Sequence, residues 1–180
     1  MLAAPEAVLS FWRAAGPKRW FVQEPAFDTE IRERFLATHK AAAAGRLSGW
    51  EDTAEGALAL LLVLDQFPRN MFRGSARAFS TDPLALATTL RAIERGFDRA
   101  IPMPERNFFY LPFEHSENLA DQERGVALTE ATGDAEAVKW AKVHLDVIRL
   151  FGRFPHRNAA LGRVSTPEEI AFLEGGGFRA

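Results

Sequence analysis

The chain contains no cysteine. Disulfide frameworks, thiolate zinc sites, iron–sulfur clusters and cysteine nucleophiles are therefore excluded. An excess of one charge is missing too. The 22 Lys and Arg stand against 24 Asp and Glu, for a net charge of −2. That balance predicts neither nucleic acid nor an anionic membrane as a partner. The longest apolar run, Ala57 to Leu64, is eight residues, well short of the roughly 18 needed to span a bilayer. Met1-Leu2-Ala3-Ala4-Pro5-Glu6 has no basic segment ahead of an apolar one, so a cytoplasmic location is expected. Alternating Val/Ile/Thr runs bounded by turn residues are absent, which argues against strands. No phosphate-cradling glycine loop, His-Glu-x-x-His pair or Gly-x-Ser-x-Gly elbow occurs. Neither a metal nor a cofactor is expected.

What is present reads as helix from end to end. At 180 residues and 47% hydrophobic content, the chain is expected to form a single all-helical domain over 1–180. Pro5 and Glu6 open a helix with Val8, Leu9, Phe11 and Trp12, which Gly16-Pro17 stops. Asp28 is expected to cap a second, carrying Ile31, Phe35 and Leu36 and ending at Gly45. Thr53 caps a third, whose centre at 57–64 is apolar on every face and must be surrounded by other helices. Its end is expected at Phe67-Pro68, because the residue before proline is pushed out of the α region. Asp82-Pro83 reads as a cap with proline at the first helical position, followed by the stripe Leu86, Leu90, Ile93, Phe97. Ser116 is a candidate cap for a helix over 117–132. Asp134 opens another, with Val138, Ala141, Leu145 and Ile148 along one face. Thr166-Pro167-Glu168-Glu169 is a capping box. The fold class expected is all-α, with seven or eight helices.

One pattern recurs. Leu64-Asp65-Gln66-Phe67-Pro68-Arg69-Asn70 leads to Arg73, and Phe151-Gly152-Arg153-Phe154-Pro155-His156-Arg157-Asn158 leads to Arg163. Two long helices ended alike suggest duplicated helical hairpins. Together with Phe109-Tyr110-Leu111-Pro112-Phe113-Glu114-His115-Ser116-Glu117, these segments resemble the signatures of a bacterial family, domain of unknown function 924. Phe11-Trp12 and Thr166-Pro167-Glu168-Glu169 fit it as well, so the likeness spans nearly the whole chain. The resemblance implies antiparallel helical hairpins around one core, similar to the tetratricopeptide-like (TPR-like) superfamily, and supplies no activity.

Chemistry therefore rests on the side chains. Arg69 and Arg73 follow the first long helix and Arg153, Arg157 and Arg163 the second, and His156 lies among them. Converging, they would bind a phosphate or carboxylate, which guanidinium forks suit. Alternatively they cap carbonyls and pair with Asp65, Glu114 or Glu117. Three such carboxylates against the arginines leave a positive surplus. Asn70 and Asn158 are expected to bond local backbone and form turns. His115, His156 and Glu117 are the acid–base candidates. His144, on an apolar stripe with Trp140 and Phe151, reads as a core histidine, and His39 as surface or structural. Gly175-Gly176-Gly177 reads as a frayed end. The leading expectation is a binding module for an anionic small molecule or a peptide carboxylate. A small hydrolase or transferase, or an oligomeric scaffold, are the alternatives.

Overall fold

Every helix of eight residues or more begins at a capping oxygen or a proline in the computed structural model, which describes residues 2–179. A capping oxygen satisfies one of the donors that a helix N-terminus leaves exposed, and a proline removes one. Among the described residues there are helices and turns and no strand. The chain groups into two compact units. One runs through Arg73 and resumes over Arg77–Phe109, and the other takes Gly74–Ala76 and the chain from Tyr110 onward. No helix among the described residues is long and apolar enough to cross a membrane.

The first unit contains α1 (Pro5–Ala15), α2 (Pro17–Trp20), α3 (Pro25–Ala43), α4 (Ala54–Leu61), α5 (Phe67–Met71), α6 (Asp82–Glu94) and α7 (Phe97–Ala100). Residues 57–64 are at most 3% exposed, as an all-round apolar helix requires. Phe11, Phe35 and Phe67 pack beside them, with ring centroids 5.1 Å (Phe11–Phe35) and 4.9 Å (Phe35–Phe67) apart. Along α6 the buried face is Ala85, Thr88, Thr89 and Ala92, while Leu86, Leu90 and Ile93 are half-buried. Small side chains let α6 lie close against α4, so the expected leucine stripe is not the inner one.

Phe67-Pro68 does not end the central helix. Leu62–Gln66 is wound as a π turn, with the Phe67 N–H donating to Leu62 O. Phe67 itself is α-helical, at φ −60° and ψ −37°, and the chain continues into α5. Pro68 has no N–H, so it can serve neither Val63 O, five residues back, nor Leu64 O, four back. Side chains compensate. His39 Nδ1 lies 3.1 Å from Val63 O, Thr81 Oγ1 donates to Leu64 O at 2.6 Å, and Arg69 Nη1 to Asp65 O at 2.6 Å. A carbonyl only accepts, so His39 carries its proton on Nδ1. Burial pushes the His39 pKa down, against the pull of its Val63 bond.

The second unit contains α8 (Leu111–Glu114), α9 (Leu119–Glu130), α10 (Ala135–Phe151), α11 (Asn158–Leu161) and α12 (Pro167–Glu174). Val126, Ala141 and Leu145 join α9 to α10. At Gly125 a Cβ would stand 2.8 Å from Phe113 Cβ, so glycine is what lets α9 lie against α8. Here the second Phe-Pro does follow a helix end. Gly152 turns left-handed at φ 68°, and Phe154 is extended at φ −89° and ψ 108°.

Thr53, Asp134 and the Thr166–Glu169 box cap as expected. Three assignments shift. Asp28 and Asp82 lie in the first turns of α3 and α6 and not at their caps, and both carboxylates are engaged by arginines. Asn118 caps α9, its Oδ1 accepting from Ala120 and Asp121 N–H, while Ser116 donates to the Asp121 carboxylate at 2.7 Å.

Replacing Thr81 by valine keeps the shape and removes the donor to a buried carbonyl. Urea unfolding should show a loss of about 1–3 kcal/mol. An unchanged midpoint would mean that Leu64 O has another donor.

Candidate functional site

The two arginines of the first unit are held by carboxylates distant in sequence. Arg69 Nη1 and Nη2 each stand 3.0 Å from an oxygen of Asp82, and Nη1 is 3.2 Å from Asp65 Oδ1. Burial opposes the Arg69 charge, but Asp65 and Asp82 outweigh it and raise the pKa. Arg73 grips Asp28 through Nε and Nη2 at 2.9 and 3.0 Å. Asn70 Nδ2 donates to the same carboxylate at 2.7 Å.

The second unit repeats that chemistry. Arg153 grips Glu169 at 2.6 and 2.8 Å, and Asn158 Nδ2 donates to Glu169 Oε2 at 3.0 Å. The Arg153 bonds, with the Thr166 N–H, lower the Glu169 pKa to about 2 against burial. Glu117 accepts from Arg163 at 2.7 and 3.0 Å and from the Phe154 N–H at 2.8 Å. Burial works against its ionisation, but the Arg163 and Phe154 bonds prevail and the pKa is lowered. Asn70 and Asn158 thus reach across to carboxylates in place of the local turn bonds expected of them. Asp28, Asp82 and Glu169 join the carboxylates that sequence alone had counted, and they remove the positive surplus around Arg69, Arg73, Arg153 and Arg163.

Phe154 is the hub of the second unit. Its ring lies 4.4 Å beneath the Arg157 guanidinium, 5.8 Å from the His144 ring and 5.5 Å from His156. Its carbonyl accepts from Arg163 Nη2 at 3.1 Å. Arg157 Nη1 donates to His115 O at 3.1 Å, and the His115 and His144 rings are 6.0 Å apart. His144 Nδ1 stands 2.8 Å from Trp140 O and 3.6 Å from Glu114 Oε2. Glu114, His115, His144 and Arg157 are all 9% exposed or less.

The candidates fall unevenly. His115, Glu117, Arg153, His156, Arg157 and Arg163 belong to the second unit, Arg69 and Arg73 to the first. Two members were not singled out from sequence. Glu114 reads from sequence only as a counter-charge, and Phe178 lies beyond the glycines of an expected frayed end. The Phe178 ring centroid is 4.5 Å from His144. A glycine run followed by a lone aromatic was the available sign. Among the described residues, no three His, Asp or Glu are arranged to hold a metal ion.

Residues 8–177 match the family model described as bacterial protein of unknown function (DUF924). A solved structure of a protein of unknown function from Agrobacterium tumefaciens is similar to this chain at 46% identity and a TM-score of 0.93. The likeness covers 96% of this chain and 97% of that one. Among curated proteins nothing matches.

Glu169 sets an acid limit on stability. Its folded pKa, about 2, lies below its ordinary 4.5, so the unfolded chain binds the proton more readily. Its stabilising contribution is complete above 4.5 and is lost as pH falls toward about 2. Denaturant midpoints measured against pH should flatten in that window for Glu169→Gln. An unaltered acid limb would show that another group controls it.

Proposed function

The chain belongs to the bacterial DUF924 family of unknown function, and we propose that its role is binding: the second unit holds a small molecule through a phosphate or carboxylate. The observation that carries this reading is the convergence of His144, His156 and Arg157 about Phe154, with His115 beside His144 and Arg157. Arg157, His115 and His156 make the ligand contacts. Arg69, Arg73, Arg153 and Arg163 hold the frame through the carboxylates that grip them. A TPR-like arrangement, which the family resemblance implies, would agree with the same reading because that superfamily is used mainly for binding, and the cytoplasm is its proposed place.

Arg153, Arg157 and Arg163 are matched in number by Glu114, Glu117 and Glu169. An acid–base role for His115 or His156 would draw on the same imidazoles. Glu117 is ionised with both oxygens engaged, which suits holding more than proton transfer.

Melting in the presence of sulfate tests the proposal, since a ligand of the folded state raises the melting temperature by mass action. Sulfate also stabilises folds by exclusion from their surfaces, so the readout is the difference from Arg157→Lys at matched sulfate. Lysine loses the planar fork, and the apparent sulfate affinity should fall roughly tenfold. Arg73→Lys should lower melting equally with and without sulfate. Identical sulfate responses of wild type and Arg157→Lys would defeat the proposal.

A further inference from the structure

The segment that closes over the Phe154 cluster has an unusual build. Residues 175–177 are all glycine. Gly176 is left-handed at φ 81°, a conformation side chains resist. Gly177 passes so near Phe172 that a Cβ would fall 2.5 Å from its ring and from its carbonyl oxygen. The Gly177 N–H donates to that carbonyl at 2.8 Å. Beyond this bond Phe178 has irregular backbone and is half-buried. Its ring lies 4.5 Å from His144, 5.5 Å from His156, 6.4 Å from Phe154 and 6.5 Å from Trp140, edge-on or tilted throughout.

These are ring-to-ring contacts, which any aromatic ring can reproduce. They are delivered by a segment of three glycines, the residue with the least restricted backbone. Local opening of such a segment is far easier than global unfolding. On the reading above, Phe178 touches His144, His156 and Phe154, the rings beside which Arg157 and His115 lie.

We infer that Phe178 occupies a ring-binding subsite, and that the ligand of this unit is an aromatic compound carrying a phosphate or carboxylate. The ligand's ring takes the place of Phe178 against His144, His156 and Phe154. Its anionic group meets Arg157 and His115. The inference rests on the anion-binding reading and adds to it the ring and the displacement. Phe178 is then a tethered competitor, present at high effective concentration, and the competent state is populated only when it swings out.

Calorimetric titration of the full chain with phenyl phosphate and with inorganic phosphate tests this, using wild type and Phe178→Ala. Phenyl phosphate should bind wild type more tightly than inorganic phosphate does. Phe178→Ala should tighten phenyl phosphate about tenfold and leave inorganic phosphate unchanged. Equal affinities for the two probes in both proteins would overturn the ring subsite and leave the anion site standing. Phenyl phosphate binding that Phe178→Ala does not tighten would overturn the displacement. Absence of binding by either probe would overturn both readings. Should Phe178→Ala fail to fold, wild type titrated with phenyl and with cyclohexyl phosphate decides. A preference for phenyl below about twofold, against the margin expected for ring pairing, would defeat the inference.

Discussion

Taking a carboxylate largely out of water is tolerable only if hydrogen-bond donors or a cation go with it, and much of this fold is arranged around that requirement. Asp28 serves Arg73 and Asn70 in the first unit, and Glu169 serves Arg153 and Asn158 in the second. In both cases the carboxylate sits in the first turn of a helix that opens with proline, α3 or α12. The helix dipole favours a negative charge there. An arginine and an asparagine from one segment therefore lock onto the start of another helix. The clamp fixes where helices meet as well as neutralising charge.

The two Phe-Pro dipeptides show how far local sequence can be overridden. Before Pro68 the backbone stays helical because a π turn and two side-chain donors, from His39 and Thr81, serve the carbonyls that proline cannot. Before Pro155 the chain has already left the helix at Gly152, and Phe154 is extended. The steric rule against helix before proline is the same in both places. What differs is whether buried polar side chains are at hand to repair the ladder.

That second break is what makes the candidate site. An extended Phe154 turns its N–H to Glu117, its carbonyl to Arg163 and its ring to Arg157 and the histidines. Had the helix run on, the Phe154 N–H would have gone into the helical ladder. Side chains from α8, α10 and the turn before α11 converge because one residue leaves regular structure.

By itself the sequence determined the helical class, the starts at Thr53, Asp134 and Thr166 and the buried run at 57–64. Those properties are local: capping, proline geometry and apolar periodicity act within a turn or two of the chain. Tertiary structure alone decided that Arg73 meets Asp28 and Arg153 meets Glu169, that α6 turns its small residues inward, and that Phe178 covers His144. Charge pairing and ring packing depend on distance in space. Partners 45 residues apart for Arg73, or 46 for Arg163, leave no periodic mark in sequence, because any carboxylate that the fold brings within reach satisfies the same electrostatic need.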